Sequence, residues 1–292
     1  MSKKQKKPKR SKAYPPPAEP QPKPQADYLP GKRPMRWDLV IIFLVISIGG
    51  TYLSIWMRSG SDVPRYTYEV LKTYKHDPEA FTQGLIYDDG RFWESTGRYG
   101  ESTVRTYVAE TGEITKKVDL PEDLFGEGLT IWNDQLIQLT WKSGKAITYD
   151  RELNKLKEHR YVGQGWGLTH DGTELILSDG TATIRFFDPI TFEETRRIRV
   201  RDGRRNISQL NELEYVNGSI YANQWRTDLI YEIDPADGTV TAIIDLSGIW
   251  PYRERPEDGL LNGIAFNDET KKLLVTGKLC PNIFEIELKL VE

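Results

Sequence analysis

Five stretches of this 292-residue chain repeat one pattern: FTQGLIYDDGRFWESTG from Phe81, GEGLTIWNDQLIQLTW from Gly126, GWGLTHDGTELILSDG from Gly165, LNELEYVNGSIYANQW from Leu210 and LNGIAFNDETKKLLVTGK from Leu261. Aligned on Gly84, Gly128, Gly167, Leu213 and Ile264, they stand 44, 39, 46 and 51 residues apart. That period is the size of a propeller blade. Each unit reads as a short strand, a turn of Asp, Asn and Gly, an alternating second strand and two further strands, as in TVRTYVAETGEITKKVDL. Leucine-rich and ankyrin units are shorter, helical arrays need a 3.6-residue periodicity that is missing, and the coils of a parallel β-helix are too short. The expected fold is all-β, a five-bladed β-propeller over residues 66–292.

The ends of this segment predict how it closes. The last repeat supplies three evident strands, whereas YTYEVLKTY at residues 66–74 precedes the first repeat with no unit of its own. It is expected to complete the fifth blade and leave no unpaired edge at the seam. A linker would occupy residues 58–65.

The N-terminal region has a different physical character. Residues 1–36 hold eleven Lys or Arg against two acids, Glu19 and Asp27, and nine of the seventeen prolines, a composition expected to remain disordered. From Leu39 to Met57 run nineteen residues without a charge, with Trp37 and Trp56 near the ends. At about 1.5 Å per residue they extend roughly 28 Å, close to the ~30 Å hydrocarbon core, so residues 37–57 are expected to form one transmembrane helix. The positive stretch is too long for a signal peptide and no small-residue cleavage site follows, which points to a retained signal-anchor. The basic side stays cytoplasmic and the propeller lies outside the cytoplasm.

Charge and cysteine content narrow the function. Beyond residue 36 the chain carries 29 basic and 41 acidic residues, a poor surface for nucleic acid. One cysteine, Cys280, excludes an internal disulfide. His76, His159 and His170 show no metal-ligand spacing, so neither metal nor cofactor is expected.

In a propeller the first strand of each blade runs along the central channel, so residues opening the repeats converge on one axis. Those starts are Gln83, Glu127, Trp166, Asn211 and Asn262. Fourteen residues after Glu127 comes Trp141, and fourteen after Asn211 comes Trp225, each at the end of a second strand, where the fifth repeat holds Lys278. Taken singly, a Trp here can simply fill space between blades. Together they describe a pocket with one ionisable carboxyl between two glycines, which are expected to let a substrate approach closely. Burial in such a channel should raise the Glu127 pKa.

As a set, FTQGL, GEGLT, GWGLT, LNELE, ANQW, LNGIA and VTGK resemble the glutaminyl-peptide cyclotransferases of the plant and bacterial type. That family has a five-bladed β-propeller unrelated to the zinc-dependent animal enzymes. The resemblance implies conversion of an N-terminal glutamine, in peptides or proteins, to pyroglutamate with release of ammonia. By motif it puts the catalytic carboxyl on Glu127 and substrate binding on Phe81, Gln83, Trp141, Trp166, Asn211, Trp225 and Lys278. The chemistry fits, because one residue supplies both the attacking α-amine and the γ-carboxamide, leaving mainly proton handling to the enzyme. After VTGK the family often continues Leu-Trp-Pro, whereas here Cys280 replaces the indole, a change expected to widen the pocket or alter preference. A tethered propeller that binds peptide N-termini without turnover is the alternative. A glycoside hydrolase would need a second inward carboxylate, for which Glu212 is the candidate.

Overall fold

The computed structural model describes residues 63–291. The predicted tail at 1–36 and membrane helix at 37–57 lie outside the described residues, as does most of the predicted linker. Among the described residues no helix is long and apolar enough to cross a membrane. Among the described residues the fold is all-β and propeller-like, with one 3-10 turn at Tyr252–Glu254.

Four strands make each of five units. The first strands are Thr82–Asp88, Gly126–Trp132, Leu168–His170, Leu210–Val216 and Leu260–Asn267, each leading an antiparallel meander. Three first-to-second-strand connections are two-residue hairpins: Asp89–Gly90 (φ 46° and 72°), Asn133–Asp134 (50° and 63°) and Asn217–Gly218 (51° and 94°). Positive φ at both central residues matches the strand twist, and Asn, Asp and Gly are the residues that adopt it. This is the turn chemistry read in the repeats. The longer spacings have visible causes: a small hairpin, Arg201–Asp202 with Arg205–Asn206, precedes the fourth unit, and the Tyr252–Glu254 turn precedes the fifth.

The seam closes as the sequence predicts. Strand Arg65–Lys75 pairs antiparallel with Asn282–Leu290, from Tyr66 opposite Leu290 to Lys75 opposite Asn282, and so supplies the fifth unit's outer strand. Its first residues also pair in parallel with the outer strand of the fourth unit, Arg65 with Ile243 and Tyr66 with Ile244. That second attachment was not legible in the repeat pattern.

Burial completes the ring. There are five apolar clusters, each filling the space between two neighbouring units. Trp93, Leu129 and Ile147 lie between the first and second, for example, and Tyr74, Leu85 and Ala265 between the fifth and first. The five first strands touch one another in cyclic order around the axis. Each sheet therefore has both faces covered, and the hydrophobic term rewards closure rather than any one sheet.

A buried polar cluster fastens the same seam. Glu94, fully buried in the first unit, accepts from Arg105 Nε (2.9 Å) and Thr82 Oγ1 (2.7 Å) and meets His76 Nε2 at 3.0 Å. His76 follows the closing strand, and its Nδ1 lies 2.6 Å from the carbonyl oxygen of Cys280 in the fifth unit. Arg105 also donates to Asp77 at 2.8 Å. Burial alone would raise the Glu94 carboxyl, but Arg105 and His76 outweigh it and hold it well below the usual carboxylate range. Removing one partner of a buried pair leaves the other uncompensated, so Glu94→Gln should cost about 3–5 kcal/mol in urea unfolding at neutral pH. A carboxyl whose folded pKa is depressed stabilises the fold above its unfolded pKa and ceases to as pH falls. The gap between variant and wild type should therefore narrow below about pH 4.3.

Candidate active site

The inner ends of the first strands share an irregularity that aims the site. The register slips between Thr82 and Gly84, Gly126 and Leu129, Leu210 and Leu213, and Leu261 and Ile264. A bulge at the same place in four units breaks strict alternation and turns an extra side chain toward the axis. Gln83, Glu127, Asn211 and Asn262 occupy these bulges.

One cavity of about 280 Å³ gathers Phe81, Gln83, Glu127, Trp141, Trp166, Asn211, Trp225 and Lys278, with Phe125 added. All eight residues expected from the sequence are thus brought together. Asn262 is not among them: it is buried, and its Nδ2 donates to the Thr82 carbonyl (3.0 Å) and Gln83 Oε1 (3.3 Å), steadying Gln83 from behind. Phe125 stands three residues ahead of Gly128, as Phe81 stands three ahead of Gly84, so the repeat alignment held the signal for it.

The walls are aromatic and mutually packed. Phe81 meets Phe125 edge-on at 6.2 Å, Phe125 meets Trp141 at 5.5 Å, and Trp166 meets Trp225 edge-on at 5.8 Å. The indole N–H groups of Trp141 and Trp166 both donate to Gln164 Oε1, at 2.7 and 3.1 Å. Gln164 has no polar counterpart in the first two repeats, where Phe81 and Phe125 hold the same position.

Two ionisable groups face this wall. Glu127 is 4% exposed, and among the described residues no hydrogen-bond donor or direct ion pair reaches its carboxyl. Burial pushes its pKa well above the usual value, with Lys278 pulling weakly the other way. Lys278 is buried, with Nζ 4.7 Å from the Phe81 ring centre. Burial lowers its pKa to about 8 against the opposing pull of Glu127 and Asp258. Asn211 Oδ1 is buried without a partner among the described residues, leaving amide valence open at the cavity.

The structure corrects the sequence reading of the glycines and shows where Cys280 and Glu212 lie. The glycines flanking Glu127 serve the backbone rather than the substrate. A Cβ on Gly128 would lie 2.4 Å from Leu168 N, and one on Gly126 2.6 Å from the Thr96 carbonyl oxygen, so only glycine lets neighbouring strands approach. Cys280 is not part of the cavity lining: its side chain is fully buried in the apolar cluster that contains Trp250. Burial raises its thiol pKa to about 11, as expected of an inert cysteine. Glu212 is no second pocket carboxyl: it accepts from Leu85 N (3.3 Å) and Ile264 N (2.8 Å), tying the first strands of three units together.

Comparison with known proteins agrees with this architecture. A family model described as glutamine cyclotransferase matches residues 43–288. The chain is 42% identical over 228 residues to a glutaminyl-peptide cyclotransferase of Arabidopsis thaliana, covering 76% of this chain and 71% of the relative. The crystal structure of Myxococcus xanthus glutaminyl cyclase superposes with a TM-score of 0.74 at 34% identity, covering 79% of this chain and all of that one. On sequence and fold alike, the chain belongs to the glutamine cyclotransferase family.

Proposed function

We propose that this chain is a glutaminyl-peptide cyclotransferase that closes N-terminal glutamine to pyroglutamate, with Glu127 moving the proton between the two nitrogens. Family membership supports the activity, and one observation carries the mechanism: Glu127 is a buried carboxyl, without a partner among the described residues, in the lining of an aromatic cavity.

The substrate's α-amine must attack as the free base, although its usual pKa is about 7.7–8.0. A desolvated pocket favours a neutral pair, amine and carboxylic acid, over ammonium and carboxylate. The raised Glu127 pKa therefore delivers the nucleophile uncharged with the proton held on the carboxyl. Attack on the amide carbon forms the ring bond. The leaving nitrogen receives the proton held on Glu127, the carboxylate so formed takes the proton that the attacking nitrogen gives up, and the C–N bond breaks to release ammonia. The carboxyl ends the cycle as it began.

The remaining residues orient and stabilise. Lys278, as a cation, suits the carbonyl oxygen where negative charge develops. Asn211 and Gln83 supply amide groups to the carboxamide, and the indoles of Trp141, Trp166 and Trp225 pack on the glutamine methylenes and exclude water.

The five units with their shared seam support reading residues 66–292 as a five-bladed propeller. The nineteen uncharged residues from Leu39 and the basic tail before them support an N-terminal anchor with the propeller outside the cytoplasm. The full chain should then sediment with membranes and resist alkaline carbonate extraction. Release by carbonate would remove the anchor reading.

A peptide beginning with glutamine should lose the mass of one ammonia when incubated with the protein. Glu127→Gln should lower kcat by about 100- to 10,000-fold while the unfolding midpoint is kept. Full turnover by that variant would refute the proton role, and a wild type that binds without turnover would leave a peptide receptor. The protonated form of Lys278 is the active one, so activity should fall as pH rises through about 8. Asp258 helps hold that pKa up, so Asp258→Asn should move the alkaline limb of a kcat profile to lower pH.

A further inference from the structure

The cavity's aromatic wall falls into two packed runs. Phe81, Phe125 and Trp141 form one packed run and Trp166 with Trp225 another. Between the runs no ring contact joins Trp141 to Trp166. What joins them is Gln164 Oε1, which accepts the N–H of both indoles.

Position and backbone explain why this residue fits the joint. Gln164 stands three residues ahead of Gly167, the repeat position at which the first two units put Phe81 and Phe125. The third unit thus places an amide where its neighbours place a ring. A carbonyl oxygen has two lone pairs and can serve two donors, which no ring can do. The flanking chain is fixed: Gly165 N donates to the Trp141 carbonyl at 3.1 Å, and a Cβ on Gly165 would lie 2.3 Å from the Tyr161 hydroxyl. Each indole has a further close neighbour. Lys142 Nζ lies 3.8 Å from the Trp141 ring centre, and Gly180 has room for no Cβ against Trp166. Packing limits where each ring slides, and the shared acceptor sets the angle at which each faces the cavity.

We infer that Gln164 is a positioning residue for the substrate pocket: by holding the Trp141 and Trp166 indoles on one oxygen it fixes the spacing of the walls that grip the glutamine side chain. This rests on the cyclotransferase reading for its kinetic consequence but not for its structural one. Because Gln164 forms no hydrogen bond with Glu127 or Lys278, its loss should weaken binding and leave the chemical step nearly intact.

The test compares Gln164→Met, similar in length but without a strong acceptor, with Gln164→Glu, which keeps one. Near-UV circular dichroism of the full chain reads the indole environment, and steady-state kinetics on a Gln-initiated peptide reads KM and kcat. Losing two hydrogen bonds should raise KM about tenfold in Gln164→Met. Its kcat should stay within about twofold, the tryptophan dichroism should weaken, and Gln164→Glu should recover both signals. Wild-type KM and unchanged dichroism in Gln164→Met would overturn the inference. A tenfold loss confined to kcat would overturn it too. Should the wild type itself fail to turn over, the cyclotransferase reading falls, while the dichroism of the two variants still decides the role of Gln164.

Discussion

The fold and the site both depend on the close approach of five first strands at one axis. Gly128 N donates to the Trp166 carbonyl at 2.6 Å, Gly263 N to Asn223 Oδ1 at 2.9 Å, and Glu212 accepts from Leu85 and Ile264. These bonds run between units, so none forms until neighbours are in place. Glu212 suits the role because burial, with Glu214 nearby, raises its pKa well above the usual range. A neutral acid still accepts from backbone amides and needs no counter-ion in a space too narrow for one. Closure therefore comes first, and the pocket is a consequence of it: its residues sit on all five units.

Partners, rather than burial, separate the structural carboxyls from the one proposed to carry the proton. Glu94 and Glu127 are both buried, yet their pKa values move in opposite directions. Glu94 touches a guanidinium, a histidine and a hydroxyl, which outweigh its desolvation and keep it ionised. Glu127 feels only Lys278, with no direct ion pair, and desolvation prevails. The same contrast governs the cations: Arg105 has two carboxylates in contact, whereas Lys278 has none and falls to about 8. A carboxyl and an amine left uncommitted and facing one cavity are available for proton transfer in a way that paired groups are not.

Much of this was legible in the sequence because repetition converts position into geometry. Once Gly84, Gly128 and Gly167 are aligned, the residue before each must lie at a common depth, which brings Gln83, Glu127 and Trp166 together without knowledge of any contact. The unpaired strand at 66–74 gave the seam by the same logic. What escaped was whatever depends on parity or on partners. Glu212 shows this: the bulge buries it beside Asn211, and only its bonds to Leu85 and Ile264 in other units set it apart from a residue lining the cavity. The glycines beside Glu127 were read as access for a substrate because the pressing neighbours, Leu168 and Thr96, come from other units. Gln164 carries no periodic signal: it is exposed, polar and on a connection, and only its two bonds reveal it. The segment before residue 63 is a separate matter of hydropathy and charge, to which the propeller's geometry adds nothing.

The lining of the cavity follows from what competes with ring closure. The γ-carboxamide can be attacked by the amine of its own residue or by water, and only the first gives a lactam. An intramolecular amine already has a large effective concentration, so no protein nucleophile is required, and a buried, inert Cys280 is consistent with that. What the protein must add is a folded-back glutamine and the exclusion of water from the amide carbon. Flat indoles and phenyl rings on several sides do both, since they contact methylenes closely and offer water few partners. In the proposed mechanism the polar atoms of Glu127, Lys278 and the amides of Gln83 and Asn211 stand where a proton or a developing charge needs them. An aromatic wall with a few convergent polar groups is the arrangement that favours cyclisation over hydrolysis.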